Sequence, residues 1–181
     1  NAVELHTGLA WPFFAAFSAA ALPIVRVLYG DQWDESVPIA EILCIWGVVA
    51  ALYCYSQDVL IAVGKLHLAV IKEVLVTAIR VGVVIYGATY ALSGVAIAIV
   101  VAGLIELALC LVVLRLGVQL HVWQLIYRCR KSALTGAITF LLCHGASSTI
   151  ESMYDAEWMQ MLAFVVIGTA AWGVGLWLSN H

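Results

Sequence analysis

The sequence predicts an all-α, polytopic membrane protein, and three observations carry that reading. Of its 181 residues, 65% are hydrophobic and 10% are charged, with a mean hydropathy of +1.06. A soluble domain is nearer half apolar and a quarter charged. The apolar residues gather into six stretches, each close to the ~20 residues that cross a bilayer core. The connections between those stretches alternate between carrying bases and carrying none.

The predicted spans are Leu5–Leu28, Glu41–Val63, Ala69–Ala91, Gly94–Leu114, Ser132–Ile150 and Trp158–Leu178. The first contains Pro12 and Pro23, either of which can kink it. Its run Ala15-Ala16-Phe17-Ser18-Ala19-Ala20-Ala21 offers a small-residue face for close packing. The second places Gly47, Ala51, Cys54, Tyr55 and Asp58 on one side. The third and fourth form a hairpin folded at Leu92-Ser93. In the fourth, Ala98, Ala102, Glu106 and Cys110 step by four along a small-residue face. The last has a packing face at Gly168, Ala171, Gly173 and Gly175, with Trp158, Trp172 and Trp177 as lipid-facing or interfacial rings.

Orientation follows from the loops. Tyr29–Pro38 holds Asp31, Asp34 and Glu35 without a base, and Glu151–Glu157 holds three acids without a base. Gly64–Leu68 brings Lys65, with Lys72 just beyond, and Arg115–Lys131 brings Arg115, Arg128, Arg130 and Lys131. The excess of bases places those two connections, and both ends of the chain, in the cytoplasm. Arg26, near the outer end of the first span, departs from the pattern and is expected to snorkel to the interface. Within Arg115–Lys131, Val118, Val122, Leu125 and Ile126 recur at helical spacing. That segment reads either as an interfacial helix or as a plain helical connection. The organisation is a four-helix part over 1–115, a cytoplasmic connecting segment over 116–131, and a final two-helix hairpin over 132–181. The chain begins at Asn1 and opens almost directly into an apolar stretch, which suggests a piece of a longer protein.

Charges within the spans mark the candidate site, because an intramembrane charge costs ~2.5–3.5 kcal/mol on insertion scales. Arg80 and Glu106 lie at nearly equal distances from Leu92-Ser93, so an antiparallel hairpin sets them at one depth, ~18–20 Å from the turn. Glu73, Thr77 and Arg80 form one polar stripe on the third span. Asp58 adds a charge in the inner half of the second. These five residues, Arg80, Glu106, Asp58, Glu73 and Thr77, are the expected substrate pathway; an ion-pair set that merely orients helices is the alternative.

Other chemistries find little footing. The largest basic cluster is Arg128-Cys129-Arg130-Lys131, too small to suggest nucleic acid. His144 and Ser147-Ser148 lack a nucleophile elbow, and neither HExxH, a phosphate loop nor a paired-Asp metal signature occurs. Cys44, Cys54, Cys110, Cys129 and Cys143 show neither CxxC nor zinc spacing and read as packing residues. The expectation is therefore a protein that is not an enzyme and needs no cofactor.

The segment Pro23-Ile-Val-Arg-Val-Leu-Tyr-Gly-Asp-Gln-Trp-Asp-Glu-Ser-Val-Pro38 resembles a signature of polysaccharide transport proteins, in which a proline precedes (L/F)-(F/Y)-G-x-x-W-x-x-(A/S). These are the oligosaccharide flippases of the multidrug/oligosaccharidyl-lipid/polysaccharide exporter superfamily. Gly64-Lys65 is similar to that family's turn after its corresponding helix. Gly87 with Ser93-Gly94-Val95-Ala96-Ile97-Ala98 is similar to its glycine-marked start of the next. The resemblance runs from about residue 5 to 178. It implies the last six helices of a roughly fourteen-helix protein: four from the C-terminal lobe of a two-lobe flippase, plus two extra helices. In related flippases those extra helices border a groove for the lipid tail.

What the resemblance implies is transport of lipid-linked oligosaccharide repeat units across the bacterial inner membrane for surface polysaccharide biosynthesis, by alternating access. The implied partners are a polyprenyl-pyrophosphate-linked oligosaccharide, membrane lipids, the N-terminal half of the same protein, and a coupling cation. A cation-coupled multidrug exporter of the same superfamily is the second expectation, with Glu106 and Asp58 primary. A membrane-embedded glycan transferase or polymerase is a third, but it calls for a larger outer loop than this chain has.

Overall fold

A computed structural model describes residues 2–118, 122–154 and 156–179. Eight helices are described: α1 (Ala2–Ala19), α2 (Ala21–Tyr29), α3 (Val37–Tyr53), α4 (Ser56–Ala62), α5 (Leu66–Gly87), α6 (Ala91–Val118), α7 (Val122–Met153) and α8 (Glu157–Ser179). Short 3₁₀ turns occupy Asp31–Ser36 and Ala88–Tyr90, and there is no strand among the described residues.

Four helical runs are long and apolar enough to cross a membrane: Asp31–Ala62, Leu66–Gly117, Cys129–Ile150 and Glu157–Gly175. The pair Val3–Ala19 with Ala21–Tyr29, bent by 70°, makes a fifth if taken as one span. The run Leu66–Gly117 is 52 residues long, or ~78 Å as one straight helix, more than twice a bilayer core. It turns back on itself instead, as α5 packs along α6.

The helices form a row. α5 lies on α6, α6 on α3, α3 on α1 and α1 on α7, while α8 closes against α7, α1 and α2. Such a row leaves most side chains on an outer face: the accessible surface is 10739 Å², against ~8,500 Å² for a compact soluble protein of this mass. The exposed faces are apolar, with Val74, Ile85, Leu141 and Val166 each more than 60% exposed, as helices solvated by lipid require.

The first span is kinked, as its prolines allow, and two other sequence expectations are corrected by local chemistry. Pro23 has no N–H to give the Ala19 carbonyl, and the helix breaks at Ala20 between α1 and α2. The second span breaks at Cys54 and Tyr55, so α4 does not continue the face that Gly47 and Ala51 bury on α3. The hairpin turns at Ala88–Ala91, earlier than Leu92-Ser93. The Thr89 hydroxyl donates to the Tyr86 carbonyl at 2.7 Å, and Ala91 takes φ 76°, ψ −177°. The register nevertheless stays centred near Leu92-Ser93, because Gly87 faces Ala98 and Gly94.

Small residues set the close contacts. A Cβ on Gly87 would stand 2.6 Å from the Ala98 Cβ, and one on Gly175 would stand 2.5 Å from the Thr135 Cγ2. Hydroxyls and indoles stitch the row together. Thr7 donates to the Ser132 hydroxyl at 3.0 Å, and Ser132 to the Glu4 carbonyl at 3.2 Å. Trp11 donates to the Val48 carbonyl at 2.9 Å and Trp172 to the Gly8 carbonyl at 3.0 Å. Trp172 is thus a tether between α8 and α1 rather than a lipid-facing ring, whereas Trp158 and Trp177 are exposed. Gly173 lies in open space, outside the packing face assigned to it.

Where the 116–131 segment is described it is helical: α6 runs on to Val118, and α7 starts at Val122 and continues unbroken into the predicted fifth span. The side chains of Val118, Val122, Leu125 and Ile126, which carried the amphipathic pattern, lie outside the described residues. Nearby, the Arg130 guanidinium sits 4.0 Å over the Tyr127 ring.

Candidate functional site

Arg80 on α5 and Glu106 on α6 form an ion pair through the Arg80 Nη2 and the Glu106 Oε2. The pairing follows from the hairpin register, since Gly87 against Ala98 places Arg80, two turns further along α5, beside Glu106, two turns further along α6. The two partners differ in environment. The Glu106 side chain is 7% exposed and Arg80 is 44% exposed. The carboxylate therefore sits inside the helix row, and the guanidinium reaches it from an open side. A guanidinium has five N–H donors, so one hydrogen bond to Glu106 leaves a donor fork facing outward.

Glu106 belongs to a buried line on α6 that also includes Ala98, Ala102, Gly103 and Cys110. α3 covers this line with Trp46 and Tyr53: the Trp46 Cδ1 lies 2.8 Å, and the Tyr53 hydroxyl 3.7 Å, from where a Gly103 Cβ would stand. Only a residue without a side chain permits that approach.

A second polar centre lies two turns along α5 from Arg80, toward Lys65. Lys72 is 3% exposed; its Nζ donates to the Ser56 Oγ at 3.2 Å and lies 3.9 Å from the Glu73 Oε2. Cys110 is the neighbour of Ser56 from α6. The sequence reading places Lys72 just beyond the Gly64–Leu68 connection as a marker of orientation and assigns Ser56 no role. The available signal was a lysine four residues inside an apolar helix and a serine at the same distance from the Gly64 turn.

The remaining predicted residues separate. Glu73 is half-buried beside Lys72, while Thr77 is exposed on α5. At 100° per residue, Glu73, Thr77 and Arg80 run along the border between the buried seam of Ala69, Lys72, Val76 and Gly87 and the exposed apolar face. Asp58 is exposed on α4 and does not join the Arg80–Glu106 pair, because the break at Cys54 and Tyr55 turns it away.

At the other end of the row, Arg26 binds Asp34 through Nε and Nη2, at 2.9 and 2.7 Å, and reaches the Glu157 Oε1 through Nη1 at 3.1 Å. This ties α2, the Asp31–Ser36 turn and the first residue of α8. The Arg26 guanidinium, mainly through its hydrogen bonds, holds the Asp34 carboxyl below its usual range. Beneath this tie, a groove of about 320 Å³ runs between α1, α2 and α8, lined by Pro12, Phe13, Phe17, Ile24, Phe164 and Trp172.

No group of three or more His, Cys, Asp or Glu side chains stands ready for a metal among the described residues. The arrangement presents Arg80 to an anionic group on its open side, with Lys72 as a second cation two turns away. No family model, curated protein or solved structure matches the chain.

Proposed function

We propose that the chain is part of a flippase that moves lipid-linked oligosaccharide repeat units across the bacterial inner membrane for surface polysaccharide biosynthesis. The observation that carries this reading is the half-open ion pair: a buried intramembrane carboxylate holding a guanidinium whose outer face is exposed. An ion pair with a buried partner adds little net stability, because desolvation offsets the attraction, so locking two helices is a weak reason to keep these charges. The open fork of Arg80 suits an oxyanion such as a pyrophosphate headgroup, which a guanidinium meets with paired donors.

Three further features support it. The Glu73–Thr77–Arg80 stripe is a polar border on an otherwise apolar helix, as the wall of a wet cavity shared with a second lobe would need. The apolar groove beside α8 suits a polyprenyl tail. The resemblance around Pro23–Pro38, Gly64-Lys65 and Gly87–Ala98 points to the same family. In this reading the bent pair α1–α2, α3 with α4, α5, α6, α7 and α8 make six passes with both ends cytoplasmic. The N-terminal half of the protein supplies the opposite cavity wall, and rocking of the lobes exposes the site alternately. Glu106 is also where a coupling cation would exchange.

The test is genetic and chemical. Deleting the reading frame from its bacterium should leave polyprenyl-pyrophosphate-linked repeat units accumulated in the inner leaflet and deplete surface polysaccharide. Unchanged levels of both would overturn the assignment.

A further inference from the structure

Tyr53 carries a polar atom that the fold leaves without a partner. The residue is 8% exposed, and its hydroxyl completes no hydrogen bond among the described residues, although the Glu106 carboxylate and the Trp46 indole stand beside it. Buried hydroxyls without partners are rare in folded proteins, and each one asks for an explanation. This hydroxyl lies against Gly103, one turn before Glu106 on the same face of α6. The charged groups it faces are Glu106 and Arg80.

Glu106 is the partner within reach. In the structure its carboxylate is held by Arg80, which approaches from the exposed side. An anion arriving on that side competes for the guanidinium. If Arg80 leaves, Glu106 is stranded as a buried charge with nothing to pair it, an arrangement that low-dielectric surroundings penalise heavily.

We infer that Tyr53 is a positioning residue that takes over Glu106 when Arg80 engages an anionic group. The phenolic O–H donates to the carboxylate, so Glu106 keeps a charge-assisted hydrogen bond in both states. The orphaned hydroxyl of the resting state is then the empty half of a two-position switch. The inference rests on the flippase reading and deepens it by naming what frees the substrate-binding cation.

Tyr53→Phe removes one oxygen and keeps the ring. The probe is inorganic pyrophosphate, titrated against the purified full-length protein in detergent, with the melting temperature of each variant measured alongside. The variant is expected to melt at or above the wild-type temperature, because an unsatisfied buried hydroxyl has gone. Its pyrophosphate affinity is expected to fall roughly tenfold or more, the worth of a hydrogen bond to a charged group. Arg80→Gln should abolish binding in either background. Equal affinity in wild type and Tyr53→Phe overturns the inference and leaves the flippase reading standing. A lowered melting temperature with a matching loss of affinity also overturns it, by making Tyr53 a packing residue. Absence of Arg80-dependent pyrophosphate binding in the wild type overturns the flippase reading, and this inference with it.

Discussion

Arg80 and Glu106 meet across the α5–α6 hairpin with opposite exposures, the carboxylate 7% and the guanidinium 44% exposed. The buried partner fixes the geometry and the exposed partner remains addressable. Removing one side is therefore not equivalent to removing the other. Arg80→Gln leaves the buried Glu106 with only the Tyr53 hydroxyl and should cost about 3 kcal/mol, the low end for breaking a buried pair, while Glu106→Gln leaves a cation that can turn outward and should cost less. Melting temperatures of the two variants in detergent check this; equal losses would contradict the asymmetry.

The hairpin turn stores strain at one residue. Ala91 sits at φ 76°, ψ −177°, a region that L side chains rarely occupy and that glycine enters freely. Ala91→Gly should raise stability by about 1 kcal/mol. By contrast, Gly87→Ala would drive a Cβ to 2.6 Å from both the Ala98 Cβ and the Gly94 carbonyl oxygen, and should lower stability by about 1–3 kcal/mol. The opposite signs of the two changes, measured in one denaturation series, make the turn assignment checkable.

The α2–α8 tie should be acid-sensitive. Arg26 depresses the Asp34 carboxyl, so the tie is intact above the ordinary carboxylate range, about pH 4. Its contribution is lost as pH falls through the lowered folded value. The melting temperature should drop on acidification in the wild type, and Asp34→Asn should flatten that part of the profile. An unchanged profile in Asp34→Asn would assign the acid sensitivity elsewhere.

The orientation has a direct probe. Cys129 is buried at 5%, beside Thr7 and Glu4 of α1, so labelling needs an introduced cysteine. In a background with Cys54 replaced, Tyr127→Cys and Gln32→Cys place thiols on two exposed positions at opposite ends of the helices. A membrane-impermeant reagent applied to intact cells should reach position 32 and miss position 127. The reverse pattern would invert the topology and with it the flippase reading.

The residues that were legible in the sequence are those whose contacts follow from local periodicity. Arg80 and Glu106 flank one turn at nearly equal distance, and a shift of that turn by a few residues leaves the register intact because Gly87 and Gly94 set it. The buried line Ala98, Ala102, Glu106 and Cys110 follows from a step of four. What stayed hidden depends on partners far along the chain or on breaks without a signal. The Arg26–Glu157 bond spans 131 residues, and Cys54-Tyr55 contains neither proline nor glycine to announce that Ser56 turns inward and Asp58 outward. Trp172 looked interfacial because its hydrogen bond to Gly8 crosses 164 residues.

The central claim, that Arg80 holds substrate rather than merely holding Glu106, is tested most directly by exchanging the two charges. The double variant Arg80→Glu with Glu106→Arg keeps an ion pair at the same depth but moves the cation onto α6, into the buried position. Measured in the full-length protein as surface polysaccharide per unit of folded transporter, the exchange should restore folding lost in either single variant yet leave transport poor. Arg80→Lys should fall between, keeping the charge without the planar fork. Full transport by the exchanged pair would contradict the account and make Arg80 a structural partner.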